Sequence, residues 1–200
     1  MNRFFLILLG IQFSIPKILL AQKTDDHPII LPTFHSEIAY EFSSGMDSSL
    51  SKERIYRACL NWYYKTFPYG HSNLLDYDLK KGNILARGEY KFPYFLGFDE
   101  LSMKIHFLLE IHLRYGKYQI LIHQIEPEDQ MEDEDYSSKK YPHYEPRSLK
   151  IMYSQYLESN DPPEFMVEKL QKIHSYFMGL IQSFKSNLKI WTRPNNSWGF

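Results

Sequence analysis

The sequence predicts an α+β fold, in which an antiparallel sheet of about five strands packs against a long C-terminal helix. The first observation is strict alternation over residues 101–114, where every second side chain is apolar, which is typical of a half-buried strand. The second is an apolar stripe at intervals of three and four residues over 164–188, which is typical of an amphipathic helix. Because each element has one apolar face, we expect the helix to cover the sheet.

The N-terminus has the layout of a secretory signal peptide. Arg3 supplies a positive charge, residues 4–13 form an apolar or small run, and Ala21 is a small residue at the end of the segment. This pattern predicts export with cleavage after Ala21. An uncleaved anchor is the alternative, but about ten clean apolar residues are too few to span about 30 Å of hydrocarbon. We therefore expect a signal peptide over 1–21, a linker over 22–34 and no membrane span after leader cleavage.

The first strand and helix follow this linker and open a single domain over 35–188. Residues 37–42 alternate between apolar and polar side chains, which predicts a half-buried strand. Over 52–67 apolar residues recur at helical spacing, and Ser51 is suited to the N-cap. That stripe includes Cys59, the only cysteine, so no intramolecular disulfide can form. We interpret its thiol as a small buried hydrophobe, with a nucleophile as the alternative.

Four strands are then predicted in succession, at 74–79, 83–92, 101–114 and 118–125, with a turn at 115–117. The returning strand is expected to place Tyr118, Ile120 and Ile122 on the core side. On the long strand, the predicted core face consists of Met103, Ile105, Phe107, Leu109, Ile111 and Leu113.

The chain changes character at residue 126, because seven of the ten residues over 126–135 are carboxylates. We interpret this run as a solvated loop within an acidic and tyrosine-rich insertion at 127–160. Specific calcium binding is the alternative, but the run lacks the spacing and the glycine of an EF-hand loop. A short strand or helical turn is expected at 149–157.

The final helix is predicted to begin after the cap residue Asp161 and to be followed by a tail at 189–200. Its stripe is formed by Met166, Leu170, Ile173, Phe177, Leu180, Phe184 and Leu188.

Charge and motifs exclude several functional classes. Removal of the leader takes away two of the 23 basic residues, which leaves 21 against 24 acidic residues and a formal charge of −3. An acidic, exported chain is a poor nucleic-acid binder, so we expect no nucleic-acid partner. No catalytic motif is recognised, so no catalytic residue is assigned and no cofactor is expected.

Four residues on the polar face of the predicted sheet are nevertheless candidate metal ligands. His106, Glu110 and His112 share one side of the long strand, and a tight turn at Gly116 places His123 on the same side of the returning strand. Imidazole and carboxylate are common zinc ligands. Against a metal, residues on one face of a strand stand about 7 Å apart, and Leu108, Leu121 and Ile125 are expected on the same surface. Polar pairs across the strands are the alternative interpretation.

Several features together resemble an exported Bacteroidota family called domain of unknown function 4468, described as having a TBP-like (TATA-binding-protein-like) fold. They are a leader ending in Leu-Ala-Gln, Ser-Lys-Glu-Arg-Ile-Tyr opening a helix that contains Trp62, a turn at 78–83 followed by Ile-Leu-Ala-Arg-Gly at 84–88, and a strand pair around Gly116. The resemblance covers about residues 36–126 and the final helix. It implies a TBP-like α+β fold and export, but no activity and no catalytic residue.

These inferences predict an exported, non-catalytic protein, periplasmic or associated with the cell envelope. We expect it to bind a small ligand, a peptide or an envelope protein through its sheet face or through the crevice between sheet and helix. A homodimer through the sheet would also cover that face. The alternative function is a metal-dependent hydrolase that uses the histidine-bearing face.

Overall fold

The computed structural model describes residues 28–46, 50–67, 73–96, 99–114, 116–130 and 148–191. The predicted signal peptide, the second half of the acidic run (131–135) and the last nine residues of the predicted tail lie outside these ranges. The elements are, in chain order, β1 (Thr33–Phe34), β2 (Glu37–Ile38), β3 (Tyr40–Gly45), α1 (Lys52–Thr66), β4 (Leu74–Asp78), β5 (Asn83–Leu96), β6 (Asp99–Arg114), β7 (Lys117–Gln130), α2 (Leu149–Glu158) and α3 (Glu164–Trp191).

The main sheet has five antiparallel strands in the order β3-β7-β6-β5-β4. Strands β5, β6 and β7 form two successive long hairpins, and β3 and β4 flank them as shorter outer strands. The strands β1 and β2 form a separate two-stranded ribbon. The predicted sheet of about five strands is therefore confirmed.

The core lies between one sheet face and the helices α1 and α3. All six apolar side chains predicted for the core face of β6 are at most 1% exposed, and the seven of the α3 stripe are at most 9% exposed. The indole Nε1 of Trp62 in α1 donates a hydrogen bond to Oγ of Ser183 in α3 at 3.1 Å, which joins the two helices. Among the described helices, none is both long enough and apolar enough to cross a membrane.

Several predicted boundaries differ from the structure. The strand predicted at 37–42 is divided between β2 of the small ribbon and β3 of the main sheet, and the strand predicted at 83–92 continues to Leu96. Part of the predicted linker is held in place, because Leu31 is buried and its N–H donates to the hydroxyl of Tyr153 in α2 at 3.0 Å. The ambiguous segment at 149–157 is helical, since Ser148 Oγ caps the backbone N–H of Ile151. Helix α3 includes the first three residues of the predicted tail.

The first five residues of the acidic run form a strand, although the sequence predicts a loop there. Residues 126–130 continue β7 and pair with β6, with Glu126 opposite His106 and Glu128 opposite Lys104. Carboxylates are accommodated there because they lie across from basic or imidazole side chains on an exposed sheet surface.

A β-bulge in β7 changes which side chains face the core. Leu108 is opposite His123, whereas His106 is opposite Glu126, so two residues of β7 stand opposite one residue of β6. Gln124 at this point has a positive φ of 49°. Because of this extra residue, Ile125 returns to the core and is buried. The predicted place of Ile125 on the polar face is therefore wrong.

Candidate functional site

The sheet surface that points away from α1 and α3 is called here the open face. It is formed by alternate side chains of β3, β5, β6 and β7, most of which are partly or fully exposed. Register places Glu41, Leu121, Glu110 and Leu85 in one row across four strands. The four predicted metal-ligand candidates all lie on this face, as the alternation of β6 and the turn at Gly116 require.

Glu110 lies between two of the three candidate histidines. Its Oε2 is 2.8 Å from Nε2 of His112, and its Oε1 is 3.0 Å from Nε2 of His123. All three side chains are largely, but not completely, shielded from solvent. Both carboxylate oxygens are therefore already used in hydrogen bonds to imidazole.

The same network continues toward the β6–β7 turn. His112 Nδ1 lies 3.1 Å from Oδ1 of Asn83, and the same oxygen accepts a hydrogen bond from Nη2 of Arg114 at 3.3 Å. A continuous chain of polar contacts thus runs from His123 through Glu110, His112 and Asn83 to Arg114. Such a chain fixes side-chain orientations on a surface that is otherwise open to water.

His106 does not join this network. Its Nε2 lies 2.9 Å from Oε2 of Glu128, and this hydrogen bond is the main reason why the pKa of Glu128 is lowered from its usual value. The structure therefore brings together three of the four candidates and separates the fourth.

Within the described part of the chain, no group of three or more His, Cys, Asp or Glu side chains is arranged to hold a metal ion. The four side chains contact one another or neighbouring residues: Glu110 contacts His112 along β6 and His123 on β7, and His106 contacts Glu128 on β7.

A groove of about 550 Å³ lies on the open face beside the turn between β6 and β7, and is called here the hairpin groove. One wall carries Arg114 and Lys117, and on the other side the carboxylate of Glu41 accepts a hydrogen bond from Nε2 of Gln119 at 2.8 Å. Its lining residues are Glu41, Ser43, His112, Arg114, Lys117 and Gln119.

Sequence reasoning named His112 but missed the cationic wall of this groove. The signal was present, because Arg114 and Lys117 flank the turn at Gly116 and a tight hairpin places them directly opposite each other. The pairing of β3 with β7 cannot be predicted from the local sequence, and this pairing places Glu41 and Ser43 on the opposite wall of the hairpin groove.

Cys59 has the buried position that its helical stripe predicts. Its side chain is completely buried, and burial raises the pKa of the thiol to about 12. A thiol with such a pKa stays protonated at neutral pH and is a poor nucleophile.

Comparison with known proteins bears on the central part of the chain. The model of the family described as "Domain of unknown function (DUF4468) with TBP-like fold" matches residues 47–127. The predicted resemblance is confirmed. The match extends from just before α1 into β7, so it contains the network around Glu110 and the cationic wall of the hairpin groove. The family description assigns no activity to these residues.

Two solved structures have a similar fold. One is a DUF4468 family protein from Bacteroides ovatus, with a TM-score of 0.50 and 13% identity, covering 81% of this chain and 96% of that one. The other is a TBP-like protein from Parabacteroides distasonis, with a TM-score of 0.50 and 15% identity, covering 78% and 97%. Both come from Bacteroidota, and they establish the TBP-like α+β fold. No curated protein matches the chain significantly.

Proposed function

We propose that this DUF4468 protein is an exported, non-catalytic binding module of the cell envelope. In this proposal the hairpin groove binds an acidic peptide segment of a partner. The observation that carries it is the pair of cations at Arg114 and Lys117, which line an open groove and make no ion pair among the described residues.

The chemistry of the cationic wall favours a carboxylate. Arg114 uses one N–H on Asn83, and its guanidinium carries five donors in a planar fork that matches a carboxylate. Lys117 is exposed and adds a second charge at the adjacent strand. Glu41 is held by Gln119 on the opposite wall, so its negative charge is partly satisfied within the groove.

The non-catalytic part of the proposal is supported by the contacts of the imidazoles. Each of the three histidines on the open face has its Nε2 within 3.0 Å of a carboxylate oxygen. In His112 both ring nitrogens contact neighbouring side chains, Nε2 with Glu110 and Nδ1 with Asn83, whereas a general base needs a nitrogen that reaches the proton of a substrate.

The experiment measures binding of hexaglutamate, with hexaglutamine as the uncharged comparison, by isothermal titration calorimetry. We expect hexaglutamate to bind and the double variant R114Q/K117Q to bind about tenfold more weakly, which corresponds to about 1.4 kcal/mol. Added salt should weaken binding as well, because the contacts are exposed and ionic. The matched control is K91Q, which removes an exposed lysine on β5 of the same face outside the groove.

Equal binding of the two peptides would contradict the proposal. So would an equal loss of affinity in K91Q, because the effect would then come from general surface charge and not from the groove.

A further inference from the structure

A second cavity, of about 330 Å³, lies on the helix side of the sheet and is called here the crevice. It is bounded by the end of β3, the start of β7, the first turn of α1 and the last turns of α3. Its apolar lining comes from Phe42, Met46, Ile55, Tyr118 and Leu188. It is separate from the hairpin groove, because Glu41 and Phe42 are neighbours on β3 and point to opposite faces.

Two lysines stand at this apolar cavity. Lys185 and Lys189 are four residues apart on α3 and therefore lie on the same side of the helix. The Nζ of Lys185 lies 4.0 Å from the centroid of the Phe42 ring, so the ammonium is held at the apolar lining by a cation–π contact. None of the described residues that line the crevice is a carboxylate.

An apolar lining next to two lysines favours a ligand that is both apolar and anionic over a purely apolar molecule or a small inorganic anion. A purely apolar molecule would fill the floor but would leave the donors of Lys185 without an anionic acceptor. A small inorganic anion would contact the lysines but would leave the half-buried Phe42, Met46 and Tyr118 in contact with water. A volume of about 330 Å³ is near the lower end of ligand-sized pockets, which run from about 300 to 1,000 Å³.

We propose that the crevice binds a small organic carboxylate with an apolar body. The carboxylate lies at Lys185 and Lys189, and the apolar body packs against Phe42, Met46 and Tyr118, which are the half-buried members of the apolar lining. This binding activity is independent of peptide binding in the hairpin groove, since the two cavities share no lining residue.

The experiment compares octanoate with 1-octanol as probes, using the purified protein. We expect octanoate to bind more tightly than 1-octanol, and to shift the NMR signals of Phe42, Met46 and Leu188. The variants K185M and K189M should each weaken octanoate binding about threefold, as expected for partly exposed ion pairs, and leave 1-octanol binding unchanged. The control K150M removes an exposed lysine on α2 and should leave both affinities unchanged.

Three results would overturn the proposal: equal affinity for the two probes, NMR shifts that map outside the crevice, or an equal loss of octanoate binding in K150M. The mapping uses the unmodified protein, so it decides the question even if a variant fails to fold. Because R114Q/K117Q changes only the hairpin groove, it should retain octanoate binding, which separates this proposal from peptide binding.

Discussion

Gly88 is a position where the absence of a side chain decides the packing. It stands opposite Phe107 across the β5–β6 pair, and a Cβ at Gly88 would lie 2.1 Å from Cε2 of that ring. The ring cannot easily move, because Phe107 is buried and packs edge-on against Phe177 with centroids 5.1 Å apart. Glycine therefore lets an aromatic ring lie directly over the neighbouring strand.

We predict that Gly88→Ala lowers the free energy of unfolding by about 1–3 kcal/mol, as overpacking of a filled core does. Urea denaturation followed by circular dichroism measures this change. The matched control is Gly179→Ala on α3, where a Cβ meets nothing within 4 Å and the residue is exposed. There alanine should raise stability, by up to about 1 kcal/mol, because it favours the helix. A neutral result at Gly88 would show that Phe107 can move away.

The residues of the candidate site could be assigned to one face from the sequence, but only some of their partners could be identified. Glu110 and His112 share a strand, so their proximity follows from the period of two alone. The partner of His106 is Glu128, which belongs to the acidic run for which the sequence predicts a loop. A dense series of carboxylates usually indicates a solvated loop, and nothing local reveals that basic groups stand opposite.

At the scale of elements, the bulge in β7 is the feature that simple alternation could not predict. Up to residue 123 the strand alternates regularly: Ile120 and Ile122 face the core, and His123 faces the open face. Gln124 is then one extra residue in β7, and Ile125 faces the core again. The insertion preserves a buried Ile125, but it forces Gln124 into the left-handed region at a φ of 49°. For a residue with a side chain this conformation costs about 1–2 kcal/mol.

We predict that Gln124→Gly leaves stability unchanged or raises it, by up to about 1 kcal/mol, because glycine adopts a positive φ without the steric penalty. The control is the same substitution at Gln119, which lies in the extended part of β7 and donates to Glu41. Gln119→Gly should lower stability by about 1 kcal/mol or more, through backbone entropy and the lost hydrogen bond. Thermal unfolding of the two variants compares them directly. A clear destabilisation by Gln124→Gly would mean that contacts of its side chain stabilise the bulge.

The free edge of β5 is protected against pairing with another strand. Strand β5 extends beyond the short β4, and Pro93 in this extension has no N–H to offer. The carbonyl of Pro93 accepts a hydrogen bond from Lys172, and the N–H of Phe95 donates to Glu168 at 3.2 Å. Such devices prevent edge-to-edge association, so cavities and faces are better places for a partner than this edge.

At the scale of the whole molecule, the predicted layers follow from two periodicities. The period of two over β6 and the helical spacing of α3 each expose one apolar face, and burial of both faces requires that the helix cover the sheet. The contact of residues 28–31 with α2 could not be predicted in this way. It depends on the hydroxyls of Tyr153 and Tyr156, which accept hydrogen bonds from the backbone of an irregular segment.

The metal-dependent alternative makes a prediction for the whole protein. Ligands that bind only the folded state raise its stability, and zinc at about one hundred times its dissociation constant would raise the melting temperature by roughly 5–10 °C. We expect neither added zinc nor EDTA to change the melting temperature, because Glu110 already occupies Nε2 of both His112 and His123. Differential scanning calorimetry measures this. The informative variant is H123Q and the control is H106Q, since His106 lies outside the network. If zinc raised the melting temperature of the unmodified protein and of H106Q but not that of H123Q, the side chains of Glu110, His112 and His123 would have to rearrange into a metal site.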